Sequence, residues 1–427
     1  MAKAHYKLIC EYCGADYDDD GLRLECEIDH QPSLLTTEYV SQHFETDTAA
    51  EGIYRYKKWL PVRRSLGGGR TVTYKSERLN QVIGLPNLWV AFNGFWPEKQ
   101  ALLETATFKE LEAYSVLGRL PSDENSILVV ASAGNTSAAF AHVCSTYGIP
   151  CLLVIPESGM MRMAFPSILN PCVKIVSISG FADYFEAIKL AESISKLEKF
   201  IPEGGVKNVG RRDGLGTTLL AAVEVIGCMP DYYFQAIGSG AGAIAVFRSA
   251  KRLAADGKYG YNVPRLMLSQ NLPFVPVYLS WKSCQRELIT FDPDAGKRQI
   301  QQIAAQVLSN RHPPYSVRGG LFDVLNSSQG DVFVADNHES LHASRLFEEI
   351  ERIDIDAASA VALATLIKAA KSGQVEPESV VLLNVTGGGW MRRKQLKQLI
   401  QATPNLQIDV KEIFLKDTLE KIRKLFF

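Results

Sequence analysis

Mostly parallel β-sheets covered by helices are the α/β architecture that this chain's residue pattern calls for, on three grounds. From residue 126 onward, short apolar and β-branched runs alternate with amphipathic helical stretches. Two of the runs pass into helices through loops of glycine and other small residues, "ASAGNTSAA" (131–139) and "IGSGAGAIA" (237–245). The first 50 residues break the pattern and carry three closely spaced cysteines, so they read as a small ribbon-like appendage.

The elements follow in chain order. "TATFKELEA" (105–113) opens a short helix. Phe108, Leu111, Tyr114, Leu117 and Leu120 recur every three residues as one buried face, and Pro121 ends it. Lys109 lies in its first turn, where a cation meets the positive end of the helix dipole. "ILVVA" (127–131) reads as a strand before the helix "NTSAAFAHVCSTYG". "CLLVIP" (151–156) and "CVKIVSI" (172–178) are further strands, the second feeding a helix over "ADYFEAIKLAESISKLEKF". "YFQAI" (233–237) precedes "AGAIAVFRSAKRLAAD", and "RLMLSQ" (265–270) is the next strand. Two helical stretches, "ESLHASRLFEEIE" and "AASAVALATLIKAAKSG", lead into "VVLLNVTGGGW". Residues 273–320 are irregular and are expected on the substrate side or between subunits. The expected division is a segment 1–50, a large domain from 51–125 and 225–427, and a small closing domain over 126–224.

A formal net charge of −1 gives no electrostatic reason to expect nucleic acid or an anionic membrane as partner. No apolar run reaches membrane-spanning length, and "MAKAHYKLICEY" has no signal-peptide core, so the expected location is the cytoplasm. Eight cysteines in 427 residues do not make a disulfide scaffold, and Cys144, Cys151, Cys172, Cys228 and Cys284 are expected reduced. Cys10-x-x-Cys13, followed by Cys26 and His30, offers the four ligands of a zinc ribbon. Its second half is C-x-x-x-H, with Asp29 where a tighter knuckle would want a ligand. The preferred expectation is therefore a degenerate ribbon held by packing, without metal.

Chemistry concentrates at four places. Gly238, Ser239, Gly240, Ala241 and Gly242 sit between a strand and a helix, where bare amides and the helix N-terminus form an anion cradle. As G-x-G-x-x-A the loop also satisfies the dinucleotide fingerprint, which requires an acidic residue at the end of the next strand. That strand ends in Gln270 and Asn271, so a phosphate without a ribose fits better; a tight turn without ligand is the bland alternative. Ser132, Ala133, Gly134, Asn135 and Thr136 form a second cradle, suited to a carboxylate, or else a plain helix cap. Thr386, in "NVTGGGW", is either part of a glycine turn or a neutral hydroxyl facing a ligand. Lys109 is the fourth, a surface lysine unless the other three surround it. A phosphate cradle, a carboxylate cradle, a hydroxyl and a lysine are the parts of a pyridoxal phosphate enzyme acting on an amino acid. The lysine would form an imine with the cofactor aldehyde. The Phe108 wall and the positive helix end would lower its pKa.

The strings "ATFKE", "ASAGNTSAA", "GSGAGAIA" and "NVTGGG" occur in an order and spacing that resembles the fold-type-II pyridoxal phosphate enzymes. The likeness extends over most of the chain to the threonine synthases and, more closely, to the cysteate synthase group. It is carried there by "RYKKWLPV", "VTYKSE", "FNGFWPE", "NVGRRDGLGT" and "RHPPYSVRGGLFDVLN". The resemblance implies a tryptophan synthase β-like fold with large and small sheet domains. It implies Lys109 as the Schiff-base lysine, Asn135 beside the cofactor's phenolic oxygen, Gly238–Gly242 on its phosphate and Thr386 at its pyridine nitrogen. Ser132 to Thr136 would hold the substrate carboxylate. The implied reaction is β-replacement on O-phospho-L-serine by sulfite, giving L-cysteate and phosphate for coenzyme M biosynthesis. The runner-up is threonine formation from O-phosphohomoserine, and a binding protein without catalysis is the remaining alternative. Two anions call for a second positive pocket, with Arg211, Arg212, Lys75 and Arg318 as candidates and Arg211 the best aligned. Partners would be the small amino acid, the anionic nucleophile and further copies of the chain, as a dimer or higher oligomer.

Overall fold

The computed structural model describes residues 5–427. In chain order its principal strands are β1 (Tyr6–Cys10), β2 (Asp16–Tyr17), β3 (Leu35–Tyr39), β4 (Val72–Lys75), β5 (Leu88–Phe92), β6 (Ile127–Ala131) and β7 (Cys151–Pro156). They continue as β8 (Val173–Ser179), β9 (Phe200–Pro202), β10 (Tyr232–Ala236), β11 (Arg265–Asn271), β12 (Asp331–Ala335), β13 (Val381–Val385) and β14 (Leu406–Asp409). A six-stranded sheet runs in the order β12-β11-β10-β13-β5-β4, parallel except for the edge strand β4. A five-stranded sheet, β9-β6-β7-β8-β14, is parallel throughout. Every residue of β7 and β13 is buried, because helices cover both faces and both sides of each strand must be apolar.

Six helices position the site: α1 (Lys109–Arg119), α2 (Asn135–Tyr147), α3 (Tyr184–Ile194), α4 (Val209–Ile226), α5 (Ala241–Asp256) and α6 (Ala357–Lys371). α4 is buried at every position from Val209 to Val223, charged residues included, so it has no solvent face. It packs between α1 and α5. Gly214 makes the first contact possible: a Cβ there would lie 2.4 Å from the Leu111 carbonyl oxygen of α1. The N-terminal residues form a three-stranded antiparallel sheet, β2-β1-β3. Tyr39 of β3 donates to Asp213 of α4 at 2.7 Å, and Arg119 of α1 clasps Asp19 through Nε and Nη2 at 2.8 and 2.6 Å. The appendage is therefore bolted to the helices that carry the site.

Three expectations about the layout need correction. The helix predicted to run to Phe200 stops at Ile194, and Phe200–Pro202 is an edge strand paired with β6. β14 joins β8, and Ile408, Ile413 and Ile422 pack in the core of the five-stranded sheet. The C-terminal segment thus belongs with that sheet rather than with residues 225–400. Finally α4, expected in the small domain, packs on α1 and α5 because its buried all-round surface fits only a central position.

Candidate active site

A single cleft between the two sheets is lined by Lys109, Ser132, Ala133, Gly134, Asn135, Thr136, Arg211, the run Gly238–Gly242 and Thr386. It opens where the strands deliver their C-terminal ends, the usual ligand position in open parallel sheets. The N-termini of α2 and α5 both enter it, so two sets of helix-end amides converge on one space.

The α5 entry is built by Gly240, whose φ of +74° is left-handed and whose Cβ would strike Leu321 at 2.5 Å. Among the described residues the amides of Gly238, Ser239 and Gly240 have no acceptor, whereas Ala241 donates to Ser239 Oγ at 3.4 Å. The α2 entry uses Gly134 at φ +138°. Ser132 Oγ accepts from the amides of Gly134 and Ser137 at 2.9 and 3.1 Å, so this hydroxyl shapes the loop instead of reaching out. Asn135 makes no side-chain hydrogen bond to the described residues, and its Oδ1 is buried without a partner. Such an orphan is costly unless a ligand satisfies it.

Lys109 is the first residue of α1, its ammonium 3.1 Å from Glu112 Oε2 and 4.9 Å from the centre of the Phe108 ring. Burial pulls its pKa below the usual lysine value, Glu112 opposes that and Arg211 adds to it. Thr386 is tied to Lys109's loop through backbone: Phe108 N–H donates to the Thr386 carbonyl at 2.9 Å, and Gly388 N–H to that of Ala106 at 3.1 Å. The Thr386 hydroxyl lies 3.3 Å from Ser359 Oγ of α6.

Arg211 lines the cleft but is heavily engaged. It makes a bidentate contact with Glu203 and lies 2.9 Å from Glu112 Oε1 through Nη1. Burial works against its charge, yet the two carboxylates outweigh it and hold the guanidinium firmly ionised. The other cationic candidates are elsewhere. Arg212, one position on and about 100° round the helix, donates to the Leu35 carbonyl of β3. Lys75 is exposed on edge strand β4 with Nζ 3.2 Å from Asn87 Oδ1. Exposed Arg318 bonds by backbone to Pro32 and Leu34. All three are removed from the substrate set. Cys10, Cys13, Cys26 and His30, for which packing alone was expected, come together with ligand atoms all within 4.8 Å of one another.

Several residues in the cleft wall or directly behind it escaped the sequence reading. Glu112 sits three residues after Lys109, a spacing that places it on the same helix face and could have revealed it. Glu203 follows β9, a strand the sequence reading did not include and whose first residue, Phe200, it placed at the end of a helix. Tyr184, Gln235, Asp356 and the segment around Val307, Leu308 and Asn310 complete the wall, the last from the irregular region expected on the substrate side. Burial raises the Asp356 carboxyl above the usual range, and its Oδ1 caps α6 through the amide of Ser359 at 2.7 Å.

Residues 64–387 match the pyridoxal-phosphate dependent enzyme family, and the chain belongs to it. Pyridoxal 5'-phosphate is its cofactor, and the architecture is that of the fold-type-II members. Within the family the chain is 42% identical over 414 residues to the cysteate synthase of Methanosarcina mazei, covering 96% of this chain and 99% of that one. It is 43% identical over 402 residues to the cysteate synthase of Methanosarcina barkeri, covering 94% and 96% respectively. Maize serine racemase superposes with a TM-score of 0.58 at 17% identity, over 76% of this chain and 92% of that one. The serine racemase of Dictyostelium discoideum gives 0.55 at 17%, over 75% and 92%. At those identities the two structures speak for the fold alone.

Proposed function

We propose that this enzyme replaces the phosphate of O-phospho-L-serine with sulfite, releasing L-cysteate. The observation that carries the reading is the convergence, in one cleft, of Lys109, two helix N-termini and the Thr386 hydroxyl. The product is taken from the name borne by the relatives. The residues suit the cofactor: an orphaned Asn135 side-chain oxygen, unpaired amides in the Gly238–Gly242 loop and a half-buried lysine lining the same cleft.

In this reading Gly238–Gly242 would hold the cofactor phosphate, Lys109 Nζ would be the attachment point, and Asn135 and Thr386 would contact the ring. Pyridoxal phosphate supplies, when bound, an electron sink for the pair released at the substrate Cα. The remaining amides of the Ser132–Thr136 loop, those of Ala133, Asn135 and Thr136, would receive the substrate carboxylate, since Ser132 and Gly134 already donate to the Val154 carbonyl and Ser132 Oγ. Lys109 Nζ would take the Cα proton as a neutral amine and later return it. The Cβ–O bond breaks with its electron pair leaving on phosphate, and the sulfite sulfur forms the new Cβ bond. Arg211 faces the departing and arriving anions. A neutral Thr386 hydroxyl cannot keep the ring nitrogen fully charged, which favours elimination of a good leaving group over transamination.

The eight cysteines are all free thiols, which supports a reducing, cytoplasmic setting. No described helix is long and apolar enough to cross a membrane. A homo-oligomer, dimeric or larger, is the proposed assembly. The test is to offer O-phosphoserine or O-phosphohomoserine, each with and without sulfite, and identify the products. Sulfite-dependent cysteate from phosphoserine is expected; threonine from phosphohomoserine would overturn the assignment.

A further inference from the structure

The N-terminal ribbon holds a cluster that the reaction does not use. Cys10 ends β1, Cys13 follows in the turn, and Cys26 and His30 return from the far side of the β2 loop. Cys13 Sγ and Cys26 Sγ are 3.7 Å apart, and Cys10 Sγ is 3.3 Å from His30 Nε2. A tetrahedral zinc ion with Zn–S near 2.3 Å and Zn–N near 2.05 Å sets its ligands about 3.8 Å (S to S) and about 3.6 Å (S to N) apart. The measured edges are close to both values. The Cys13–Cys26 edge is far too long for a disulfide, and all these thiols are free.

The surroundings are those of a metal knuckle. Gly14, at φ +73°, turns the chain immediately after Cys13, and its amide donates to the Cys10 carbonyl at 3.0 Å. The amides of Tyr12 and Cys13 point at the Cys10 sulfur, and that of Ile28 at the Cys26 sulfur. Tyr17 Oη lies 3.1 Å from Cys26 Sγ. His30 lies 2.7 Å through Nδ1 from the Gln31 carbonyl, so a proton on Nδ1 donates there and leaves Nε2 free to ligate. Tyr12 stacks on the imidazole at 4.8 Å, fixing its plane. The C-x-x-x-H spacing is thus no obstacle, because His30 reaches the cluster where Asp29 does not.

We propose that Cys10, Cys13, Cys26 and His30 bind one zinc ion as a structural site that clamps the loop between its two halves. That loop matters to catalysis. Asp19 within it is the carboxylate held by Arg119 of α1, and Leu22, Leu24 and Glu25 line an outer cleft with Tyr184, Ser239 and Asn310. The last three also line the cofactor cleft. Zinc would therefore fix one rim of the entrance without touching substrate.

Metal analysis of the holoenzyme, purified without added metal, is expected to find about one zinc per chain. After chelation, cobalt(II) titration should develop thiolate charge-transfer and tetrahedral ligand-field bands that saturate at one equivalent. Cys13→Ser should abolish both while keeping the cofactor's yellow absorbance, and Cys284→Ser should change neither. Background zinc together with no cobalt–thiolate band in the wild type overturns the proposal. So does full zinc retention in both Cys13→Ser and His30→Ala, or a metal-free Cys13–Cys26 disulfide in protein kept reduced. The cobalt titration reads the wild-type protein, so it decides the matter even if a variant fails to fold.

Discussion

Consider Glu112→Gln. Glu112 is fully buried, with Oε2 3.1 Å from Lys109 Nζ and Oε1 2.9 Å from both Arg211 Nη1 and Thr136 Oγ1. Its negative charge is the main force resisting the drop that burial and Arg211 impose on the Lys109 pKa. The amide keeps the size and one acceptor but removes the charge. An opposite charge at this distance moves a pKa by roughly 1–3 units, so the lysine should lose its proton about that much lower in pH. The shift corresponds to ~1.4–4 kcal/mol of differential stabilisation of the ammonium. The assay is cofactor uptake by cofactor-free protein, followed by the growth of yellow absorbance as a function of pH. Only the neutral amine attacks the aldehyde, so the rate rises with pH and levels off above the lysine pKa. In Glu112→Gln the break should move to lower pH, and uptake at neutral pH should be faster. An unmoved break, or one shifted upward, would refute the claim that Glu112 sets the charge of Lys109. The same variant should also unfold more easily, because breaking a buried ion pair costs ~3–5 kcal/mol. The intact bidentate Glu203 contact with Arg211 keeps the loss near the lower end.

Four further outcomes follow from the geometry. Lys109→Ala should still bind pyridoxal phosphate weakly through the amide cradle, but borohydride should leave no reduced cofactor attached to the chain; covalent labelling in that variant would place the attachment elsewhere. Gly240→Ala forces a side chain into left-handed backbone, at about 1–2 kcal/mol, and into the Leu321 side chain at 2.5 Å. Equilibrium dialysis should show its cofactor affinity falling at least tenfold. Lys75→Ala and Arg318→Ala should each leave kcat/KM within about twofold of wild type, since neither side chain lines the cleft; a tenfold rise in KM for phosphoserine would restore them to the site. Asp19→Asn should cost ~3–5 kcal/mol by stranding buried Arg119, seen as a lower Tm. Burial raises the Asp19 pKa, but Arg119 and Tyr6 outweigh it and hold the folded value below normal. The stabilisation is thus complete above the unfolded pKa of about 3.9 and is lost as pH falls through the folded value. Acid unfolding of Asp19→Asn should accordingly be less steep than that of wild type.

What could be read from the sequence was what short-range pattern encodes. β6 and β7 are continuous apolar runs, β8, β10, β11 and β13 are mostly apolar with few polar breaks, and the glycine loops that follow two of these strands mark helix entries that a side chain would block. Lys109 stood out because a cation is misplaced at a helix start. The failures share another cause. β9 is three residues long and β4 is an edge strand with mixed burial, so neither has an apolar run to announce it. Missing β9 hid Glu203 at its end, and missing β4 left Lys75 free to be imagined near the substrate. α4 shows no amphipathic period because it has no exposed face, so nothing local said that Arg211 turns to the cleft while Arg212 turns to β3. The cysteine cluster was legible as a list of ligands. Its spacing argued against it only because a contact between β-ribbon halves is not written in the interval from Cys26 to His30.

The charges around the cleft bear on how it handles two anions. Lys109 and Arg211 face Glu112 and Glu203, so the nearest formal charges cancel before any substrate arrives. The bidentate contact with Glu203 occupies Nε and one N–H of Nη2, and Glu112 lies against Nη1. A guanidinium has five N–H donors, so an oxyanion can engage at most those left over unless a carboxylate moves. Excess positive charge is therefore not what the site offers. In the proposed reading the amides at Gly238, Ser239 and Gly240 go to the cofactor phosphate and those at the α2 N-terminus to the substrate carboxylate, which leaves the charge-compensated Arg211 to meet the other two anions. A guanidinium already paired with two carboxylates holds an anion less tightly than an uncompensated, desolvated charge would. That balance suits the proposed reaction, in which phosphate must depart from the space that sulfite then enters; in it Glu112 and Glu203, rather than Arg211 alone, would set how tightly either anion is held.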